Sequence, residues 1–122
     1  MLRFLIVCGA GGAGCGVRYL VALWIGPRSF PYATLIVNVV GSFLIALIME
    51  SSLRLASFPP KLTLALTTGF MGGLTTYSSF NYETSTLAAQ GASDRALLNV
   101  GATLIGCVLA GLAGLWLARR LT

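Results

Sequence analysis

Four apolar runs, each long enough to cross a bilayer, leave this chain very few ways to fold. They cover about residues 2–25, 32–55, 62–89 and 93–118. Each closes on helix-ending or charged residues: Gly26-Pro27-Arg28, Pro59-Pro60-Lys61, Gln90-Gly91 and Arg119-Arg120. A hydrocarbon core asks for roughly 20 apolar residues per helix. The runs are continuous rather than alternating, which speaks against a membrane β-barrel. The expectation is an all-α membrane protein of four transmembrane helices, multi-pass, with lipid as its main partner.

Composition agrees. Of 122 residues, 57% are hydrophobic and 9% charged, with a mean hydropathy of +0.88. Soluble domains carry about 25% charged residues, so a soluble fold of this length would lack the polar surface to cover itself. Arg3 before an apolar stretch resembles a signal peptide, but the run is too long and three more follow, so it reads as the first helix. The connections are too short to separate domains, and residues 1–122 read as one four-helix transmembrane domain.

The eight basic residues outnumber Glu50, Glu83 and Asp94 for a net charge of +5. They gather at segment ends, where headgroups lie, so nucleic acid is not implied. Arg3, Arg54, Lys61, Arg119 and Arg120 fall on one side and Arg28 and Arg95 on the other, which favours both termini in the cytoplasm. Cys8, Cys15 and Cys107 lie inside apolar runs without metal-ligand spacing and read as small membrane-buried side chains. His is absent. With no metal cluster and no nucleophile–base pair, nothing points to an enzyme. Ser93-Asp94 reads as an N-cap followed by an acid.

The third run is unlike the others. Gly69-Phe70-Met71-Gly72-Gly73-Leu74 is followed by Thr75, Thr76, Tyr77, Ser78 and Ser79, then Phe80. Glycine, β-branched and hydroxyl residues all weaken a helix. The expectation is a third helix broken at its centre. Irregular backbone at membrane depth persists only where protein or a water-filled cavity surrounds it. Such a break exposes carbonyls to a cation and amides to an anion. The simpler reading is hydroxyls bonded back to their own helix.

Other polar groups lie at membrane depth. Asn38 shares a helix face with Thr34, as Asn99 does with Thr103; Glu83 follows Ser79 by one turn. Asn38 could glue helices together or donate its amide hydrogens to an anion. Arg18 could snorkel to the interface or line a positive vestibule. Neutral donors outnumber buried carboxylates, which suits an anion or a neutral solute, and ring edges add positive potential. Gly12/Gly16 and Gly69/Gly73 let helices approach closely, within one chain or between copies.

At these residues the chain resembles the Fluc (CrcB) family of fluoride channels. The likeness rests on Gly12-Ala13-Gly14 through Arg18-Tyr19, Thr34-Leu35 with Val37-Asn38, and Gly41-Ser42-Phe43. It continues through Gly69-Phe70, Gly72-Gly73-Leu74-Thr75-Thr76, Ser78, Phe80 and Asn99. It spans essentially the whole chain. The resemblance implies an antiparallel, dual-topology homodimer with two pores, exporting fluoride by passive conduction from a bacterial cell's cytoplasm through its inner membrane. It implies that Asn38, Thr34, Ser78, Ser79 and Thr103 line each pore and that Tyr77 and Phe80 turn ring edges to the ion. It implies vestibule positions for Arg18 and Glu83, and a structural sodium ion at the dimer centre on backbone carbonyls of Gly72 and Thr75. The charge bias is stronger than dual insertion prefers.

Two departures stand out. Tyr77 replaces the family's usual Phe, so a phenol either donates to fluoride or obstructs the track. Ala33 replaces a usual Gly, a packing change. A small multidrug exporter, another four-helix dual-topology dimer, carries a membrane-embedded Glu in its first helix, and the first segment here has no carboxylate. A non-transporting membrane subunit would explain the hydrophobicity and the glycines but not the broken polar segment.

Overall fold

A computed structural model describes all of residues 1–122, and it is entirely helical. Helix α1 spans Leu2–Ile25 and α2 spans Tyr32–Arg54. The third segment comes in pieces: α3 (Pro60–Leu64), a π-helical stretch (Ala65–Met71), α4 (Gly72–Leu74) and α5 (Tyr77–Ala89). Helix α6 spans Ser93–Leu121. Helices α1, α2 and α6 are each long and apolar enough to cross a membrane.

Local chemistry sets most ends. Pro60 stands in the first turn of α3, where its missing N–H costs nothing. Gly91, at φ 80°, turns the chain from α5 to α6 through a conformation that side chains resist. The start of α6 differs from expectation. Ala92 is the cap residue, Ser93 is already helical, and no side chain caps the end. Asp94 does stand in the first turn. Helix α2 stops at Arg54, and α6 runs on past Ala118 to Leu121.

Burial runs opposite to that of a water-soluble protein. Only 17 of 122 residues are buried, and five of these are polar: Thr34, Asn38, Thr67, Asn99 and Thr103. Leu, Ile, Val and Trp side chains of α1 and α6 face outward instead. Polar groups inside and apolar groups outside is the arrangement that lipid stabilises. The small apolar core joins Val37, Met71 and Leu74, with Val21, Leu44 and Phe70 packed around it.

Glycines decide how closely the third segment meets α1. A Cβ on Gly73 would meet Gly11 O and, at 2.9 Å, Cys15 N; one on Gly14 would meet Phe70 O and Leu74 N. Gly69 abuts Ala10. Gly69 and Gly73 therefore pack within the chain, whereas Gly12 and Gly16 face open space. At one end of the bundle, Glu50 Oε1 accepts from Arg54 Nε and Arg119 Nε, both at 2.9 Å, and ties α2 to α6.

Candidate functional site

Gly72 and Gly73 are helical, and the break falls after them. Thr75 (φ −84°, ψ 152°) and Thr76 (φ −151°, ψ 117°) are extended between two helical pieces. Backbone groups released in this way need partners at membrane depth. Asn38 of α2 supplies both for Thr76. Its Oδ1 accepts from Thr76 N at 2.7 Å, and its Nδ2 donates to Thr76 O at 3.0 Å. The carboxamide thus pairs with Thr76 as a neighbouring strand would. Gly41, one turn along α2, leaves room for the Thr75 methyl group.

The hydroxyls divide their work. Thr75 Oγ1 bonds back to Met71 O at 2.9 Å. Thr76 does not bond back; its oxygen caps α5 by accepting from Ser79 N at 3.2 Å. The same oxygen lies 3.2 Å from both Ser78 Oγ and Ser79 Oγ. These bonds have a consequence for two carbonyls. Thr75 N donates to Met71 O and Thr76 N to Asn38, so neither closes a turn on Gly72 O. Ser79 N turns to the Thr76 hydroxyl rather than to Thr75 O. The Gly72 and Thr75 carbonyls therefore lose their usual helical donors. Neutral carbonyl oxygens are the ligands a hard cation accepts, so the pair fits the sodium site that the resemblance implies.

Three cavities line the break and one end of the bundle. The outermost, about 480 Å³, lies between the α1–α2 connection and α5, with Arg28 and Arg95 in its wall and Glu83 lining it too. Arg28 Nε donates to Ile25 O, and Arg95 Nη1 to Ser29 O. The next, about 320 Å³, shares Glu83, Ala22 and Ala33 with the first and adds Arg18, Thr34, Thr76 and Ser79. Here Thr34 Oγ1 donates to Glu83 Oε1 at 2.7 Å, while Glu83 Oε2 is buried without a partner. Arg18 reaches α4 just ahead of the break, where its Nε donates to Gly73 O at 3.1 Å.

The third cavity, about 350 Å³, shares Thr76 with the second and is lined by Asn38, Thr75, Tyr77, Phe80 and Thr103. The Tyr77 and Phe80 rings lie 5.7 Å apart, tilted by 53°, with Phe80 buried and Tyr77 largely exposed. Thr103 Oγ1 donates to Asn99 Oδ1 at 3.5 Å, and Asn99 Nδ2 donates to Thr84 Oγ1 at 2.9 Å, which clasps α5 to α6.

The residues singled out in the sequence thus separate into two groups. Thr34, Ser79, Arg18 and Glu83 line one cavity, and Asn38, Tyr77, Phe80 and Thr103 line another. Ser78 is exposed and touches the site through Thr76. Thr76 lines both cavities; in the sequence it is one hydroxyl of the Thr75–Ser79 run, and its capping role carries no capping-box signature, since Ser79 rather than Glu or Gln stands three residues on. Thr84 carried no sequence signal, since its role is set by Asn99 on another helix.

A broken polar helix, wrapped by apolar spans and flanked by polar cavities, defines a multi-pass membrane protein with room for a small polar species at the break. The family model described as CrcB-like protein, Camphor Resistance (CrcB), matches residues 5–115, and the chain belongs to that family. A relative from Anaeromyxobacter sp. (strain K), named fluoride-specific ion channel FluC, is 50% identical over 99% of this chain and 98% of its own length. A Geobacter metallireducens relative of the same name is 47% identical over 99% of this chain and all of its own length.

Proposed function

We propose that this protein is a fluoride-selective channel that drains fluoride from the bacterial cytoplasm through the inner membrane by passive conduction. The observation that carries the reading is the pair of cavities at the break, both lined by Thr76 and walled by Asn38, Thr34, Ser79 and the Tyr77–Phe80 pair. The names of relatives 47–50% identical over nearly the full chain supply the ion. Fluoride is small and strongly hydrated, so a narrow path must replace its water with close donors. Amide and hydroxyl groups do so, and ring edges favour an anion over a cation. Arg18, Arg28 and Arg95 raise the local anion concentration at the approach.

The working unit in this proposal is an antiparallel homodimer. The cavity holding Asn38 opens on the outer surface of a single chain, where hydrocarbon would meet polar groups at a cost. A second copy laid over that opening would seal it and give two paths by symmetry. Gly72 and Thr75 carbonyls from both copies would hold a sodium ion between the two breaks and offset the negative potential of the carbonyl ends. Ser78 and Thr103 belong to the path in this reading, and Glu83 to its mouth.

Purified protein in liposomes loaded with potassium fluoride tests the function directly. Fluoride should leave rapidly once a potassium ionophore relieves the charge imbalance, and chloride should stay. Equal leakage of chloride, or no fluoride flux at all, sinks the proposal.

A further inference from the structure

Five hydroxyls line the cavity at the break: Ser42, Thr75, Thr76, Tyr77 and Thr103. Four have already placed their hydrogen within the chain. Ser42 donates to Asn38 O at 2.7 Å and Thr75 to Met71 O at 2.9 Å. Thr76 donates to Ser79 Oγ at 3.2 Å, and Thr103 to Asn99 Oδ1 at 3.5 Å. Tyr77 makes no hydrogen bond to any group of the chain and is 75% exposed. The carboxamide of Asn38 has placed one N–H on Thr76 O, which leaves its second. Apart from the weakly donating Cys107 thiol, only these two side-chain donors around the cavity are uncommitted.

The position of Tyr77 is also unusual for its type. Membrane tyrosines collect at the two interfaces, where the ring is buried and the hydroxyl wet. Tyr32, at the first residue of α2, fits that habit. Tyr77 lies 17 residues past Pro60 and 12 before Ala89, in the middle of the third segment. A phenol facing hydrocarbon there would lack any partner. Its ring lies 5.7 Å from that of buried Phe80, at the wall of the same cavity.

We infer that the Tyr77 hydroxyl is a hydrogen-bond donor to the conducted anion, paired with the free N–H of Asn38, and that it sets how tightly this channel holds fluoride. The inference rests on the channel reading above. A ring edge alone attracts an anion weakly, whereas an O–H donor replaces one water of its shell. The group therefore deepens a binding step in the path and does more than shape it.

Tyr77→Phe removes the hydroxyl and keeps the ring, so the fold should survive. The measurement is initial fluoride efflux against internal fluoride concentration, for both proteins in the same liposomes, with elution volume and thermal unfolding in detergent alongside. The half-saturating concentration should rise about tenfold, the equivalent of one hydrogen bond to a charged partner. Elution and unfolding should not change. A half-saturating concentration within twofold of the unmodified protein overturns the inference. So does lowered thermal stability with unchanged half-saturation, which would assign the hydroxyl to packing. Absence of fluoride flux in the unmodified protein would instead refute the channel reading itself.

Discussion

Asn38→Asp keeps the size of the side chain and one of its two bonds to Thr76. The retained oxygen still accepts from Thr76 N, now at 2.7 Å. The other position changes from a donor to an ionised oxygen facing Thr76 O across what is now a 3.0 Å hydrogen bond. Losing that bond costs roughly 1 kcal/mol, and leaving the Thr76 carbonyl without its donor adds about 1–3 kcal/mol. The effect on conduction should be larger. A unit charge about 4 Å from the ion opposes it by about 4 kcal/mol at an effective dielectric of roughly 20. That corresponds to a fall in fluoride flux of about a thousandfold. Liposome efflux at neutral pH, with elution profiles to show that the protein is still folded, measures both effects. A folded variant that conducts within tenfold of the unmodified protein would remove Asn38 from the ion path.

Gly73→Ala sets a methyl group against the backbone of Gly11 and Cys15, which cannot rotate away, so α1 must shift. Thermal unfolding in detergent should report a loss of about 1–3 kcal/mol, and an unchanged transition would contradict the close approach. Phe80→Ile removes the inner ring of the aromatic pair; fluoride flux should drop about two- to tenfold with elution unchanged, taking an aromatic edge contact as worth about 0.5–1.5 kcal/mol. Equal flux would leave the pair without a role in conduction. Replacing sodium on both sides of the liposome with a large organic cation should slow fluoride efflux, and restoring sodium should recover it. Indifference to that exchange would exclude a sodium ion at Gly72 and Thr75.

The spans of α1, α2 and α6 are readable because lipid imposes a simple demand, an unbroken apolar run of sufficient length, and their ends fall within a few residues of expectation. The cap at Ser93 was not readable, because the helix begins there without any side-chain cap. The interruption of the third segment was legible in its glycines and hydroxyls, yet those signals mean different things. Gly69 and Gly73 keep helical geometry and serve close approach to α1. The extended pair at Thr75 and Thr76 is fixed by Asn38, far away in the chain. The allocation of hydroxyl hydrogens is likewise decided across helices, as with Thr103 and Asn99. No local pattern foretells which donors remain free.

The strand-like pairing of Asn38 with Thr76 also bears on how the chain tolerates change. The carbonyls of Gly72 and Thr75 are main-chain atoms, present whatever side chain those positions carry. Substitution at either one keeps the oxygen and can alter only its direction. The fragile positions are those that hold the peptide planes in place: Asn38, whose carboxamide grips Thr76, and Gly41, whose missing side chain admits Thr75. Damage to the proposed cation site, built from backbone, would therefore come from the neighbouring helix, through residues that need never touch the cation.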